Sequence, residues 1–152
     1  MPPEGADGAL QLRAEDADDL TVISACLQDA LVSVADIAYM PQDQSFMFVA
    51  NRFRWEADRR AARGGGGYER VLCAVAFAEV ESVLYRGFGR EERERILSLL
   101  AVRPEGGAAV RLDFSGGATV RLQIGRILCH LKDVGLPWPT PWRPAHDQEP
   151  PR

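Results

Sequence analysis

Apolar residues fall on even positions in Val110-Arg111-Leu112-Asp113-Phe114 and again in Val120-Arg121-Leu122-Gln123-Ile124. Each run therefore predicts a strand that buries one face and wets the other. Ser115-Gly116-Gly117 between them supplies the turn. A two-residue Gly-Gly turn would set Leu112 beside Arg121 and throw one apolar set to the wrong face, so parity excludes it. Two registers survive. A three-residue loop with Gly117 left-handed suits turn chemistry but opposes Arg111 to Arg121, whereas a longer loop opposes Asp113 to Arg121. Charge tips the expectation slightly to the longer loop.

The same reading extends along the chain. Leu10 to Arg13 predicts a short strand. Asp16 suits an N-cap, Asp18 and Asp19 suit the first turn of a helix, and Leu20, Ile23, Leu27 and Leu31 continue at helical spacing. From Leu31 the pattern becomes β-branched alternation, with Val32, Val34 and Ala38 on one face and Ile37 and Tyr39 on the other, ending at Pro41-Gln42-Asp43-Gln44. Ser45 to Trp55 is the return strand. Its Phe46-Met47-Phe48-Val49 run is apolar on both faces, which implies burial on both sides or a partner surface on one. A mobile loop is expected over 57–68, where charged residues lead into Gly64 to Gly67. Arg70 to Tyr85 predicts two strands broken near Glu79 to Glu81, Gly87 to Arg95 one helical turn, and Ile96 to Arg103 a strand.

Arg126 to Gly135 predicts an amphipathic helix, with Ile127, Leu128, Leu131 and Val134 as its apolar stripe, Gly135 as C-cap and Pro137 as a stop. The proline-rich tail from Pro137 to Pro144 must be extended, its tryptophans packing back on the domain. The expected class is α+β: an antiparallel β-meander or partly open barrel with an N-terminal and a C-terminal amphipathic helix. In the order of its elements it resembles the pleckstrin-homology-like barrel, where a terminal helix plugs one open end. Such a likeness carries no function with it.

A chain of 152 residues supports one core, expected over 10–146, with 1–9 and 147–152 disordered. A formal charge of −4 argues against a general nucleic-acid or anionic-membrane binder. Cys26, Cys73 and Cys129 are odd in number, widely spaced and in apolar surroundings, so they read as reduced core residues. With no signal peptide and no apolar run of spanning length, a cytoplasmic protein is expected.

Candidate chemistry is sparse. Gly64 to Gly67 lacks the Lys-Ser/Thr of a phosphate loop and leads into a strand. Arg59, Arg60 and Arg63 beside it could grip an anion, although a solvated loop explains them as well. His130 and His146 are the only histidines, neither has a partner at metal-ligand spacing, and no metal or other cofactor is expected. No serine sits in a G-x-S-x-G elbow, and buried thiols make poor nucleophiles. Asp29 ends the first helix, where an acid opposes the dipole, so an arginine partner such as Arg52 or Arg54 is expected. In Asn51-Arg52-Phe53-Arg54-Trp55-Glu56, strand spacing puts Asn51, Phe53 and Trp55 on one face and Arg52, Arg54 and Glu56 on the other. The segment is either a half-buried strand with a solvated charged ladder or a recognition surface of Arg52, Arg54 and Trp55.

Glu15-Asp16, Ile23-Ser24-Ala25-Cys26-Leu27-Gln28-Asp29-Ala30, Asn51-Arg52-Phe53-Arg54-Trp55-Glu56 and Arg143-Pro144-Ala145-His146 together resemble an uncharacterised domain-of-unknown-function family common in alphaproteobacteria. The likeness spans nearly the whole chain. It implies a small single-domain cytoplasmic bacterial protein without an assigned activity, and it brings no catalytic residue. Two functional expectations stand. The first is a non-enzymatic protein-interaction or adaptor module, acting through Arg52, Arg54 and Trp55 or the Arg59 to Arg63 loop on a protein partner or a second copy. The alternative is a small-molecule or anion-binding protein, weakly enzymatic at most, with a pocket between sheet and helix and Asp29, Asn51 and Arg52 as its polar groups.

Overall fold

The computed structural model describes residues 9–57 and 68–144. The expected disorder of both termini, the loop carrying Arg59, Arg60 and Arg63, and His146 lie outside the described residues. Strand β1 (Gln11–Ala14) alternates exposed and buried side chains. Helix α1 (Ala17–Cys26) begins as its sequence predicts, with the Asp16 side chain accepting the Asp19 N–H at 2.8 Å and Asp18 and Asp19 in the first turn. Leu20, Ile23 and Leu27 form its buried stripe. Asp29 then takes a left-handed φ of 64° and swings the chain into β2 (Leu31–Ser33). Leu31 thus belongs to a strand and is exposed.

The single strand expected from Leu31 to Pro41 is two strands. A 3-10 turn over Val34–Asp36 separates β2 from β3 (Ile37–Met40). It removes an odd number of residues from the alternation, so Ile37 joins Val32 and Val34 in the core and Ala38 faces solvent. The following strands are β4 (Ser45–Phe53), β5 (Tyr68–Phe77), β6 (Val80–Arg86), β7 (Ile96–Glu105), β8 (Ala109–Phe114) and β9 (Thr119–Ile124). The break near Glu79 is present, with that residue at a φ of 55°. Residues 87–95 form bends and turns without a helix.

The expected C-terminal helix is a strand, β10 (Cys129–Asp133), followed by β11 (Trp138–Thr140) on β5. Cys129, Leu131 and Asp133 point inward while His130 and Lys132 point out. The cause is tertiary. β10 fills the slot between β1 and β5, pairing Ala14 with Cys129 on one side and Phe77 with Cys129 on the other. Two open ladders of backbone donors and acceptors outweigh a short helical periodicity. The likeness to a pleckstrin-homology-like barrel rested on that terminal helix. Trp138 pairs with β5 yet stays half exposed, as does Trp142.

The antiparallel sheet runs β1-β10-β5-β4-β2-β7-β8-β9-β6, with β3 beside β4 and β11 beside β5. Its end strands β1 and β6 do not pair among the described residues, so it is an α+β fold with an open sheet. α1 lies on the inner face, where Ser24 Oγ accepts the Val102 N–H at 2.9 Å. Phe46, Phe77, Leu99, Leu112 and Leu122 fill the core below it.

The β8–β9 hairpin adopts the register that charge disfavours, with Arg111 directly opposite Arg121 and Asp113 opposite Thr119. Its loop is the three residues Ser115–Gly117, with Gly117 at a φ of 84°. A like-charge pair costs only about 0.2–1 kcal/mol. Asp113 relieves it by holding Arg111 Nε at 2.8 Å, so turn chemistry decides.

Cys73 and Cys129 are buried free thiols and Cys26 is partly buried. Burial pushes the Cys73 thiol up to about 12 and raises Cys129 and Cys26 as well. Among the described residues no helix is long and apolar enough to cross a membrane.

Candidate functional site

The even positions of β4 face the core, and Arg52 is on that face with Phe46, Phe48 and Ala50. Its side chain is fully buried. Nε donates to Asp133 Oδ1 at 2.8 Å and Nη2 to Asp133 Oδ2 at 2.7 Å. Nη1 donates to Glu56 Oε1 at 2.9 Å and Nη2 to Glu56 Oε2 at 2.7 Å. The second Nη1 donor reaches the Phe53 carbonyl at 3.3 Å. A guanidinium has five N–H groups, and all five are engaged. Asp133 Oδ2 also accepts the Leu10 N–H at 2.9 Å. Burial opposes the Arg52 charge, but hydrogen bonds to Glu56 and Asp133 outweigh it and raise its pKa. Arg52 is therefore a clamp joining β4, β10 and the segment before β1, with no donor free for a ligand.

Arg54 is also buried, ion-paired with Glu69 and 3.7 Å from Glu56. The expected solvated Arg52–Arg54 ladder is thus an interior charge network. Glu56, in the helical turn at 55–57, supplies its half-exposed end. Burial tends to raise the Glu56 pKa, yet the Arg52 guanidinium holds it below the usual carboxylate range. Its folded-state pKa lies below its unfolded value of about 4.3. The stability it contributes is full above that value and is lost as pH falls through the folded pKa. Urea midpoints measured from about pH 7 down to pH 3 should fall on the acid side, and Glu56→Gln should flatten that fall. An unchanged acid slope in the variant would remove Glu56 from the clamp.

The outer face of the same strands gathers a different group. Arg70 Nε donates to Asn51 Oδ1 at 2.6 Å, and its Nη2 reaches the carbonyls of Asn51 at 3.1 Å and Asp29 at 3.3 Å. Burial lowers the Arg70 pKa and the Asp29 carboxylate opposes that shift. The arginine expected beside Asp29 is thus Arg70, not Arg52 or Arg54. Trp55 donates Nε1–H to the Gln28 carbonyl at 3.1 Å, meets Phe53 edge-on at 4.6 Å, and carries Arg143 at 5.4 Å from its ring centroid. The structure therefore brings Asp29 and Asn51 together around Arg70, with Trp55 alongside through Gln28. It separates them from Arg52, which lies on the opposite face of β4.

Arg70, Glu56 and Asp133 are the site residues that sequence reasoning missed. Arg52 continues the even series Phe46, Phe48 and Ala50, which burial shows to be the inward one; the equally apolar Met47, Val49 and Phe53 hide that choice from the sequence. His130 projects outward from β10, and among the described residues no group of His, Cys, Asp and Glu could hold a metal.

A family model described as Protein of unknown function (DUF2948) matches residues 10–146, the span from the Leu10 end of the clamp to just beyond β11. The chain belongs to this DUF2948 family. No curated protein and no solved structure matches it. The DUF2948 match takes in every member of the Arg52 clamp and the Arg70 group.

Proposed function

We propose that this DUF2948 chain is a non-enzymatic protein-interaction module of the bacterial cytoplasm, docking through the solvent side of β2, β3, β4 and β5. The observation that carries this reading is the chemistry of the outward positions. Met47 stands between Ala38 and Ala76, Val49 opposes Ala74, and Asn51 stands between Leu31 and Leu72. Leu72 is 41% and Leu31 39% exposed. An antiparallel sheet with one wetted face ordinarily alternates apolar inward and polar outward. Here β4 is apolar on both sides over Phe46 to Val49, which leaves a continuous apolar surface across neighbouring strands. Arg70, Asn51 and Asp29 border one end, so the surface has the apolar centre and polar edge of an interface.

The test is the double variant Met47→Lys/Leu72→Lys. Both side chains are exposed, so the melting temperature should stay within a few degrees of wild type. Affinity purification from the native cells, with light scattering to detect self-association, should recover a stoichiometric partner or a second copy that the double variant loses by about tenfold or more. A complex that the variant retains, or a wild-type chain that captures nothing and stays monomeric, would sink the proposal.

A further inference from the structure

Arg103 opposes Arg111 across β7 and β8, and Arg111 opposes Arg121 across β8 and β9. The hairpin register therefore lines up three guanidiniums on the outer face of the sheet's second half. Neighbouring strands stand about 4.8 Å apart, so such a row concentrates like charge. The chain as a whole carries −4, so overall basicity does not explain the row. Asp113 offsets part of it, 2.9 Å from Arg103 Nε and 2.8 Å from Arg111 Nε. Glu105 is a looser partner, 3.8 Å from Arg111 and 3.5 Å from Arg121.

β6 completes the group, setting Leu84 opposite Arg121 and Arg86 opposite Thr119. Arg86 is exposed and makes no ion pair among the described residues. Arg86, Arg111 and Arg121 line a groove of about 550 Å3 together with Glu105, Thr119 and Leu84. The four guanidiniums of Arg86, Arg103, Arg111 and Arg121 against the two carboxylates of Asp113 and Glu105 leave a surplus of two positive charges, matching a phosphate monoester near its dianionic state at neutral pH. Guanidinium forks fit phosphate oxygens bidentately. The Thr119 hydroxyl adds a donor, and Leu84, 47% exposed, offers apolar surface beside the charge.

We infer that this groove holds the phosphate group of a small phosphate monoester, with Arg86, Arg111 and Arg121 as its cations and Leu84 beneath the organic part. Glu105 occupies the cations loosely and yields them to the ligand. This site is independent of the apolar face on β2 to β5.

Isothermal titration with phenyl phosphate at near-physiological salt should give saturable binding, weakened by about tenfold or more in Arg86→Gln and in Arg121→Gln. Glu105→Gln should tighten binding several-fold, because it releases Arg121 and removes the looser of the two carboxylates beside Arg111. An ion ladder of purely structural purpose would lose stability in Glu105→Gln without gaining affinity. Phthalate is the dicarboxylate control and phosphatidic acid vesicles are the lipid arm. Absent binding of phenyl phosphate, binding unmoved by Arg86→Gln, or equal binding of phthalate would overturn the inference. Vesicle capture without phenyl phosphate binding would overturn it in favour of a membrane headgroup.

Discussion

Replacing Arg52 by alanine should destabilise the domain by about 3–5 kcal/mol, the cost of stranding a buried carboxylate partner. Asp133 is the carboxylate left behind. Its side chain is 2% exposed and would retain only the Leu10 N–H. Glu56, 26% exposed, can turn to water, so the cost concentrates on one acid. A loss of this size is a large share of the roughly 5–15 kcal/mol that holds a typical domain together. Urea denaturation followed by tryptophan fluorescence reads it as a fall in midpoint at constant slope. The double variant Arg52→Met/Asp133→Leu should recover much of the loss, because apolar replacement of a whole buried pair is often neutral or better. A single variant within about 1 kcal/mol of wild type would contradict the clamp.

The second large effect is expected at Gly87, which closes β6 against the β8–β9 turn. Its φ is 81°, and a Cβ there would lie 2.8 Å from the Gly117 carbonyl oxygen and 2.9 Å from Ala118 Cα. Backbone atoms cannot swing away as a side-chain end can. Gly87→Ala should cost about 2–4 kcal/mol, from left-handed strain together with displacement of the turn. Gly106→Ala is the internal control, because its φ is 66° and nothing lies within 4 Å of the added carbon. It should cost only the conformational share, about 1–2 kcal/mol. Equal losses at both positions would show that the contact with the turn contributes nothing. Hydrogen exchange at Ala118 to Val120 should rise in the Gly87 variant alone.

Period-two alternation made most strands legible, because a one-residue slip exposes an entire apolar set. That is why β4, β7, β8 and β9 stand where their sequences put them. Arg126 to Gly135 was ambiguous by physics. Leu131 satisfies both periods, Gly135 and Pro137 end a strand as well as a helix, and the decision came from the vacant ladders of β1 and β5. Local periodicity cannot register vacant ladders that lie as far off in sequence as Phe77 and Ala14 are from Cys129. The hairpin register failed for a related reason: a cross-strand charge preference is smaller than the demand of a three-residue loop for Gly117.

The candidate site was less legible than the fold. A charged residue at an inward parity reads as a break in pattern unless its partner is known, and the partner of Arg52 is Asp133, 81 positions away. Reading Arg52, Arg54 and Glu56 as a wetted ladder followed from treating six residues alone. Parity over β4 leaves the choice open, because Met47, Val49 and Phe53 are as apolar as Phe46, Phe48 and Ala50. Asp29 and Asn51 were found because local rules, a helix end and a strand face, singled them out. Arg70 was hidden, since an arginine at an outward position of a strand is ordinarily unremarkable.

The clamp also orders events during synthesis. Arg52 meets Asp133 across 81 positions, so a nascent chain carries Arg52 with Glu56 as its one clamp carboxylate until the last tenth or so of the family domain is made. An N-terminal portion ending before residue 133 lacks Asp133, the buried carboxylate of the clamp. A chain truncated before residue 133 should therefore be cleaved by protease faster than the whole domain, which limited proteolysis of the two would show.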